Sequence, residues 1–369
     1  MIDGLDIETL LKTVEPWRSD NDETLVCRAV RQETSDVKSF LFAASSPRRF
    51  QFKPGQFLTF SFEITGATVN RCYTIASPPT RPYGVAITVK RVPGGIVSNW
   101  LHETMQPGHK VLASDPLGEF SALSYPSSKY LLLSGGSGIT PLMSMLRTFH
   151  DLGIEKDIIF VHAARTPDDI IFRTECAAIA RYSPSVKLAH ICENDGPMSP
   201  ATGYRGRISE NFLSLIAPDF REREVFVCGP PGFMATARTI LRERHFDMAR
   251  YHEESFDFGT LSPITAEIAE ANQTPPTCGP SGKVYRIEFS KSRRVVDCPE
   301  TMTVLDAARQ AGLRLPSSCT KGVCGTCKSR LTSGSVTLEH GGGIRQKEID
   351  AGMRLLCCSR PTSDIVVER

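Results

Sequence analysis

The apolar positions of the chain change rhythm twice. From about 23 to 125 they fall in short runs, at 24–30, 37–43, 57–62, 72–75, 85–92 and 110–113, parted by Gly and Pro. Runs of that length and spacing predict strands closing into an antiparallel barrel. From about 126 to 257, buried strands at 130–134, 158–163, 186–191 and 224–228 alternate with helical spacing at 142–152 and 234–244. That alternation predicts a parallel sheet covered by helices. Residues 258–281 are rich in proline and poor in apolar side chains, which predicts a linker. From 282 to 369 strands are expected at 284–289, 294–298, 328–331, 335–338 and 365–367, with a capped helix at 303–312, so this third domain reads as a small mixed sheet with a helix across it. Residues 1–22 form an N-terminal extension in which Ile2, Leu5, Leu10, Leu11 and Val14 share one face before Pro16, open to reading as a docking arm or a frayed terminus.

The last domain contains the most specific chemical signal. Cys319, Cys324 and Cys327 are spaced C-x4-C-x2-C, and Cys357 follows at a distance. This is the plant-type spacing for a [2Fe–2S] cluster, in which a tight loop supplies three thiolates and a second segment closes the cage. Gly322 and Gly325 lie inside the loop, where close backbone approach costs glycine least. A structural zinc site is the alternative, but only Cys324 and Cys327 form the C-x2-C pair it prefers. A disulfide framework needs an oxidising compartment, and no secretory segment points to one.

Three further stretches carry candidate chemistry. Arg71-Cys72-Tyr73-Thr74 and Ser77 put a cation, an aromatic ring and hydroxyls on one strand, a set suited to an anionic planar cofactor or to a solvated edge. Gly94-Gly95-Ile96-Val97-Ser98 reads as a glycine turn opening a helix, whose amides can hold a phosphate. Gly135-Gly136-Ser137-Gly138-Ile139-Thr140 and Cys228-Gly229-Pro230-Pro231-Gly232 each join a strand to a helix, the position where open α/β sheets bind dinucleotides. Arg165, with Asp168 and Asp169 close behind, follows another strand. The arginine suits a 2′-phosphate and the acids a free 2′-hydroxyl, while a solvated helix cap is the bland reading.

Composition narrows the classes. In 369 residues, 40% are hydrophobic and 23% charged, enough for several cores, and a net charge of +2 gives no reason to expect nucleic acid or an anionic membrane as partner. No window is apolar for long enough to span a bilayer, so a cytoplasmic protein with mostly reduced cysteines is expected. No general acid–base pair or nucleophile–histidine set is evident.

Together these motifs resemble the ferredoxin–NADP reductase superfamily, and Val304-Leu305-Asp306-Ala307-Ala308 with Leu315-Pro316-Ser317-Ser318-Cys319 looks like a plant-type ferredoxin. The resemblance covers about 23 to 369. It implies a flavin-binding β-barrel (23–125), a parallel α/β NAD(P)H-binding domain (126–257), a linker (258–281) and a β-grasp [2Fe–2S] domain (282–369). The order is similar to reductase components of Rieske-type monooxygenases that demethylate quaternary amines such as glycine betaine, and to the NADH oxidoreductase of hybrid-cluster protein. It implies that Arg71, Ser77, Val97 and Ser98 bind flavin, with Tyr73 on the ring and Thr74 near its reactive nitrogen. Gly135, Gly136, Gly138, Thr140, Arg165, Gly229 and Pro230 would border NAD(P)H, and Cys228 would stand beside the nicotinamide. Glu254 and Phe256 would return to the flavin, and Cys319, Cys324, Cys327 and Cys357 would hold the cluster. FAD is expected over FMN from the domain order and the Gly94–Ser98 turn, and NADH over NADPH from the Arg165–Asp168 stretch. The implied activity is electron transfer from NADH through FAD and the cluster to a partner oxygenase or other redox protein. A redox-sensing cluster protein is the reading of another class.

Overall fold

A computed structural model describes residues 14–18, 24–198, 203–256, 283–313, 315, 322, 325, 327–340, 344 and 346–369. The linker, the apolar face at 2–11, Cys319 and Cys324 lie outside the described residues. The chain divides into two compact units, Met1–Phe256 and Asp257–Arg369. Among the described residues no helix is long and apolar enough to cross a membrane.

The first unit opens with β1 (Leu25–Thr34), β2 (Val37–Ala44), β3 (Phe57–Ile64), β4 (Ala67–Thr74), β5 (Val85–Lys90) and β6 (Lys110–Ala113), with α1 (Ile96–Thr104) between the last two. They form one sheet in the order β4-β3-β6-β1-β2-β5, antiparallel at every pairing. Its edges meet where Ile75 bridges Ile87 and the Ala76 amide donates to the Ala86 carbonyl at 2.7 Å, which curls the sheet into a barrel. Alternation sends Phe40, Phe42, Leu58, Phe60, Phe62 and Ile87 inward. Each such side chain contributes about 1.5–3 kcal/mol by leaving water. The described part of the N-terminal extension is packed on this barrel. Trp17 is 4% exposed, lies 5.1 Å from the Phe50 ring, and its amide donates to the Arg49 carbonyl.

A parallel sheet follows, built from β7 (Lys129–Gly135), β8 (Asp157–Ala164), β9 (Val186–Cys192), β10 (Tyr204–Arg205), β11 (Glu224–Cys228) and β12 (Tyr251–Glu254), in the order β10-β9-β8-β7-β11-β12. Between them run α2 (Ile139–Asp151), α3 (Arg173–Tyr182), α4 (Glu210–Ile216) and α5 (Pro231–Glu243). Alternate strand residues feed two cores. Leu132, Phe160 and Phe226 pack with Leu142 and Leu146 of α2, while Leu131, Val161 and Val225 pack with Phe212 of α4 and Ile240 of α5. The first core also takes in Val37, Ala76, Phe120 and Ala122 from the barrel, so barrel and sheet share apolar packing. Opposite the glycine loops, Arg223 is 1% exposed and clamps the strand beginnings. It donates to Asp157 and Asp219 carboxylates at 2.8–3.0 Å and to the Tyr130 carbonyl at 3.2 Å.

Strand β12 was not expected from the pattern. Tyr251-His252-Glu253-Glu254 has no apolar alternation because an edge strand needs only one bonded neighbour, here β11. Helix α2 begins at Ile139, earlier than the spacing suggested, since Pro141 is tolerated in a first turn whose N–H groups have no intrahelical acceptor.

The second unit contains β13 (Val284–Phe289), β14 (Arg294–Pro299), α6 (Val304–Gln310), β15 (Lys328–Ser333), β16 (Val336–Leu338), α7 (Gln346–Asp350), β17 (Met353–Leu355), β18 (Ser359–Pro361) and β19 (Ile365–Val367). The main sheet runs β14-β13-β19-β15-β17 with β13 and β19 parallel, and β16 pairs with β18. Thr303 caps α6 by accepting from the Asp306 amide, and Val304, Leu305, Ala307 and Ala308 bury against the sheet's Ile287 and Phe289, the β-grasp arrangement.

Candidate functional site

The order of the parallel sheet reverses between β7 and β11, so the loops after these strands flank a crevice. Their glycines do two different jobs. Gly138 has ordinary helical φ, yet a Cβ there would fall 2.5 Å from Gly229 N and nearer still to the Cys228 carbonyl. Gly229 is pressed less closely, with a Cβ 2.9 Å from the Phe233 ring and 3.0 Å from Gly135 N. A Cβ on Gly135 would meet Pro230 at 3.0 Å. These three let the loops touch. Gly136 is required by its φ of +51° instead, and space around it is open. Thr140 is buried and its hydroxyl donates to the Ser137 carbonyl at 3.1 Å.

Across the barrel edge, β4 ends in Arg71-Cys72-Tyr73-Thr74. Register sets Arg71 opposite Phe60 and Tyr73 opposite Leu58. The half-buried Tyr73 ring lies 6.2 Å from Phe60 and 6.4 Å from Phe62. Thr74 is 6% exposed, and its Oγ1 finds no hydrogen-bond partner among the described residues. Such a group costs about 1–3 kcal/mol unless a ligand completes it. Two expected hydroxyls are already engaged. Ser77 Oγ accepts from the Ala86 amide at 2.9 Å, and Ser98 Oγ accepts from the Val92 amide at 3.1 Å. Val97 points into the barrel core. α1 offers an anion its first-turn N–H groups, at Ile96, Val97 and Ser98, and accepting one bond leaves a serine hydroxyl able to donate.

One row crosses the parallel sheet on the face toward the barrel: Glu254, Cys228, Ser134, His162 and His190 are register neighbours on β12, β11, β7, β8 and β9. Burial disfavours charge along this row. Burial pushes the Glu254 carboxyl up to about 8 and leaves its Oε2 without a partner among the described residues. Burial, and then Glu254, hold the Cys228 thiol well above its usual range. Ser134 Oγ donates to the Val161 carbonyl at 3.0 Å, so the 2.8 Å bond to His162 Nδ1 must be donated by the ring, and burial keeps that histidine neutral, near 3. Phe256 packs against the core that contains Cys228. Orphaned polar atoms at Thr74 and Glu254 are what a polar ring edge would satisfy, so these residues fit a flavin.

Arg165, beyond β8, is held by two carboxylates, Asp169 at 2.6 Å and Asp36 of the barrel's β1–β2 turn at 2.9 Å. Asp36 carries no motif and was missed. Both bonds are made by Nη2, and the two carboxylates offset the guanidinium charge, which weakens its pull on another phosphate dianion although Nε and Nη1 keep their donors.

In the second unit Cys327 and Cys357 are 2% and 7% exposed, side by side in the core. Their thiols lie within hydrogen-bonding reach, with Cys358 and the Gly322 backbone against Cys357. Gly322 and Gly325 have φ of +70° and +74°, the left-handed conformation that favours glycine. Two buried cysteine sulfurs brought together beside such a loop fit the cluster donor set.

Family models match in the same order: an oxidoreductase FAD-binding domain at 25–122, an oxidoreductase NAD-binding domain at 132–239 and a 2Fe-2S iron-sulfur cluster binding domain at 287–362. The glycine betaine monooxygenase reductase subunit of Chromohalobacter salexigens is 43% identical over 360 residues, 96% of this chain and 97% of the relative. The chain belongs to the monooxygenase reductase family. This reductase is also 38% identical to the stachydrine N-demethylase reductase subunit of Rhizobium meliloti, over 98% of this chain and 99% of that one. Its fold is that of phthalate dioxygenase reductase, at a TM-score of 0.56 and 24% identity over 96% of this chain and all of that one. It is an NAD(P)H-dependent flavin iron–sulfur oxidoreductase, with domains for FAD, NADH and a [2Fe–2S] cluster.

Proposed function

We propose that this reductase serves a Rieske-type oxygenase that demethylates a quaternary ammonium compound such as glycine betaine, in the cytoplasm and with NADH as donor. The observation that carries this reading is the end-to-end likeness to a glycine betaine monooxygenase reductase subunit, 43% identical over 96% of the chain. Bound FAD supplies the exchange between two-electron and one-electron chemistry, and a bound [2Fe–2S] cluster supplies one-electron carriage.

The chain's own residues orient and shield. Arg71 and the first-turn amides of α1 hold the flavin diphosphate, Tyr73 packs on the ring, and the Thr74 hydroxyl donates to its edge. The touching loops at Gly135, Gly138 and Gly229 present backbone to NADH, with Gly136 and Thr140 at its border. Cys228 and Phe256 exclude water, while Glu254 keeps a proton at its carboxyl at neutral pH. The Asp36–Arg165–Asp169 cluster favours a 2′-hydroxyl over a 2′-phosphate. Cys327 and Cys357 hold the cluster together with Cys319 and Cys324.

The test is anaerobic titration of the purified protein with NADH and NADPH, followed by reconstitution with a glycine betaine oxygenase component in air. Bleaching of flavin and then cluster bands, faster with NADH, and formaldehyde released in step with NADH consumption are expected. Full reduction without turnover of the oxygenase, together with rapid electron delivery to hybrid-cluster protein, would replace this partner with that one.

A further inference from the structure

Helix α2 carries the nucleotide loop at its head and lies along the barrel segment that follows Thr74. Three polar residues, Ser144, Arg147 and Asp151, recur at i, i+3 and i+7 and so share one face. Each is bonded to that segment. Ser144 Oγ donates to the Ser77 carbonyl at 2.8 Å, and Arg147 Nη1 donates to the Ala76 carbonyl at 2.6 Å. Asp151 accepts from Thr80 at 2.6 Å and from Arg81 at 2.8 and 2.9 Å.

Arg147 differs from its two neighbours in being both charged and buried, at 6% exposure. Taking a guanidinium out of water is unfavourable unless its donors are matched, and here they are. Nε and Nη2 form a fork to Glu175 at 2.8 and 2.6 Å, and the guanidinium lies 4.5 Å from the centre of the Phe172 ring. The fork fixes the direction of the third donor, which a lysine's rotating ammonium would not do. Ala76, which it grips, also gives its amide to Ala86, so the residue two positions past Thr74 is held from both sides.

We infer that Arg147 is a positioning residue for hydride transfer, holding the flavin-binding strand and the nucleotide loop at their working separation through the rigid body of α2. The inference rests on the flavin and NADH sites proposed above. Reacting atoms must come within about 3–3.5 Å, and misplacement by about 1 Å can cost a hundredfold in rate. A residue that ties the helix of the nucleotide loop to the segment after Thr74 acts on that separation.

The test uses the flavin- and cluster-loaded protein under anaerobic stopped flow with Arg147→Lys, Glu175→Gln and, as comparison, Arg223→Lys. Arg223 clamps the opposite end of the same sheet and reports what loss of stability alone does. For Arg147→Lys and Glu175→Gln, flavin content and NADH Kd should stay within about twofold of the parent while the limiting rate of flavin reduction falls by about ten- to a hundredfold. The isotope effect with C4-deuterated NADH should be more fully expressed. Arg223→Lys should lower Tm and leave the limiting rate unchanged. The inference is overturned if Arg147→Lys and Glu175→Gln lower Tm or flavin content with no loss of limiting rate, or if Arg223→Lys slows reduction as much. Should Arg147→Lys not fold, Glu175→Gln decides alone. Failure of the underlying site reading shows differently: NADH would not reduce the parent's flavin, or Thr74→Ala and Gly136→Val would alter neither flavin nor NADH binding.

Discussion

Replacing Gly138 by alanine adds one methyl group at a φ of −63°, which alanine adopts without strain. By reducing the freedom of the unfolded chain the change should stabilise by about 0.4–1 kcal/mol. The tertiary structure reverses the sign. The new Cβ would lie 2.5 Å from Gly229 N and nearer to the Cys228 carbonyl, against an optimum of about 3.5 Å for such atoms. All the obstacles are backbone, so the two loops must part by roughly 1 Å. Overpacking a well-fitted site costs about 1–3 kcal/mol, and backbone against backbone belongs at the upper end. For a unit of this size about 3 kcal/mol lowers Tm by roughly 6–12 °C. The same displacement widens the seat proposed for NADH, so Kd for NADH should rise by about tenfold or more. Gly136→Ala meets no atom within 4 Å and bears only the left-handed φ of +51°, about 1–2 kcal/mol. Melting curves followed by flavin fluorescence, with NADH titrations on both variants, give the comparison. If Gly138→Ala melts with the parent and binds NADH equally well, the argument that these loops need contact is wrong.

Other outcomes follow from single residues. Glu254, raised to about 8, keeps its proton in the folded state over a range where the unfolded chain loses it at about 4.3. Its contribution to stability is therefore complete below about pH 4.3 and is lost as pH rises through about 8, by at most about 1.4 kcal/mol per unit. Glu254→Gln should remove that slope from a pH series of melting curves, and equal slopes in both proteins would exclude the assignment. Cys357→Ser should abolish the cluster absorbance and bound iron while NADH still bleaches the flavin; unchanged iron content would show that another residue closes the cage. Asp36→Asn should raise kcat/KM for NADPH by no more than about fivefold, because exposed ion pairs are worth about 0.2–1 kcal/mol. No rise in NADPH use would mean that the Asp36 pair does not restrain Arg165.

Some of this molecule is legible locally. Strands β6, β11, β13 and β19 lie where alternation or an apolar run at 110–113, 224–228, 284–289 and 365–367 predicts them. These segments bury one or both faces, and burial is what periodicity reports. β12 and the short β10 and β17 pair at sheet edges and are too short or too polar to show a period, so their existence depends on neighbours. Within the candidate site the residue types were readable but their use was not. Ser77 and Ser98 look like ligand hydroxyls in the sequence, and only the structure adds that each oxygen also accepts a backbone amide, from Ala86 and Val92. Gly136 and Gly138 look equivalent in the sequence; one is required by φ and the other by the loop that follows the neighbouring strand β11.

The sequence by itself determined the cysteine spacing, the glycine loops that close strands, and the order barrel, α/β sheet, ferredoxin-like domain. Each depends on residues that are close along the chain, where backbone geometry links spacing to shape. Only the tertiary structure decided that Arg165 is compensated by Asp36, 129 residues away, that Arg147 grips Ala76 across 71 residues, and that Glu254 lies beside Cys228. Charge state, specificity and the separation of reacting groups are set by what surrounds a side chain in space, and those neighbours come from segments whose pairing the local pattern does not encode.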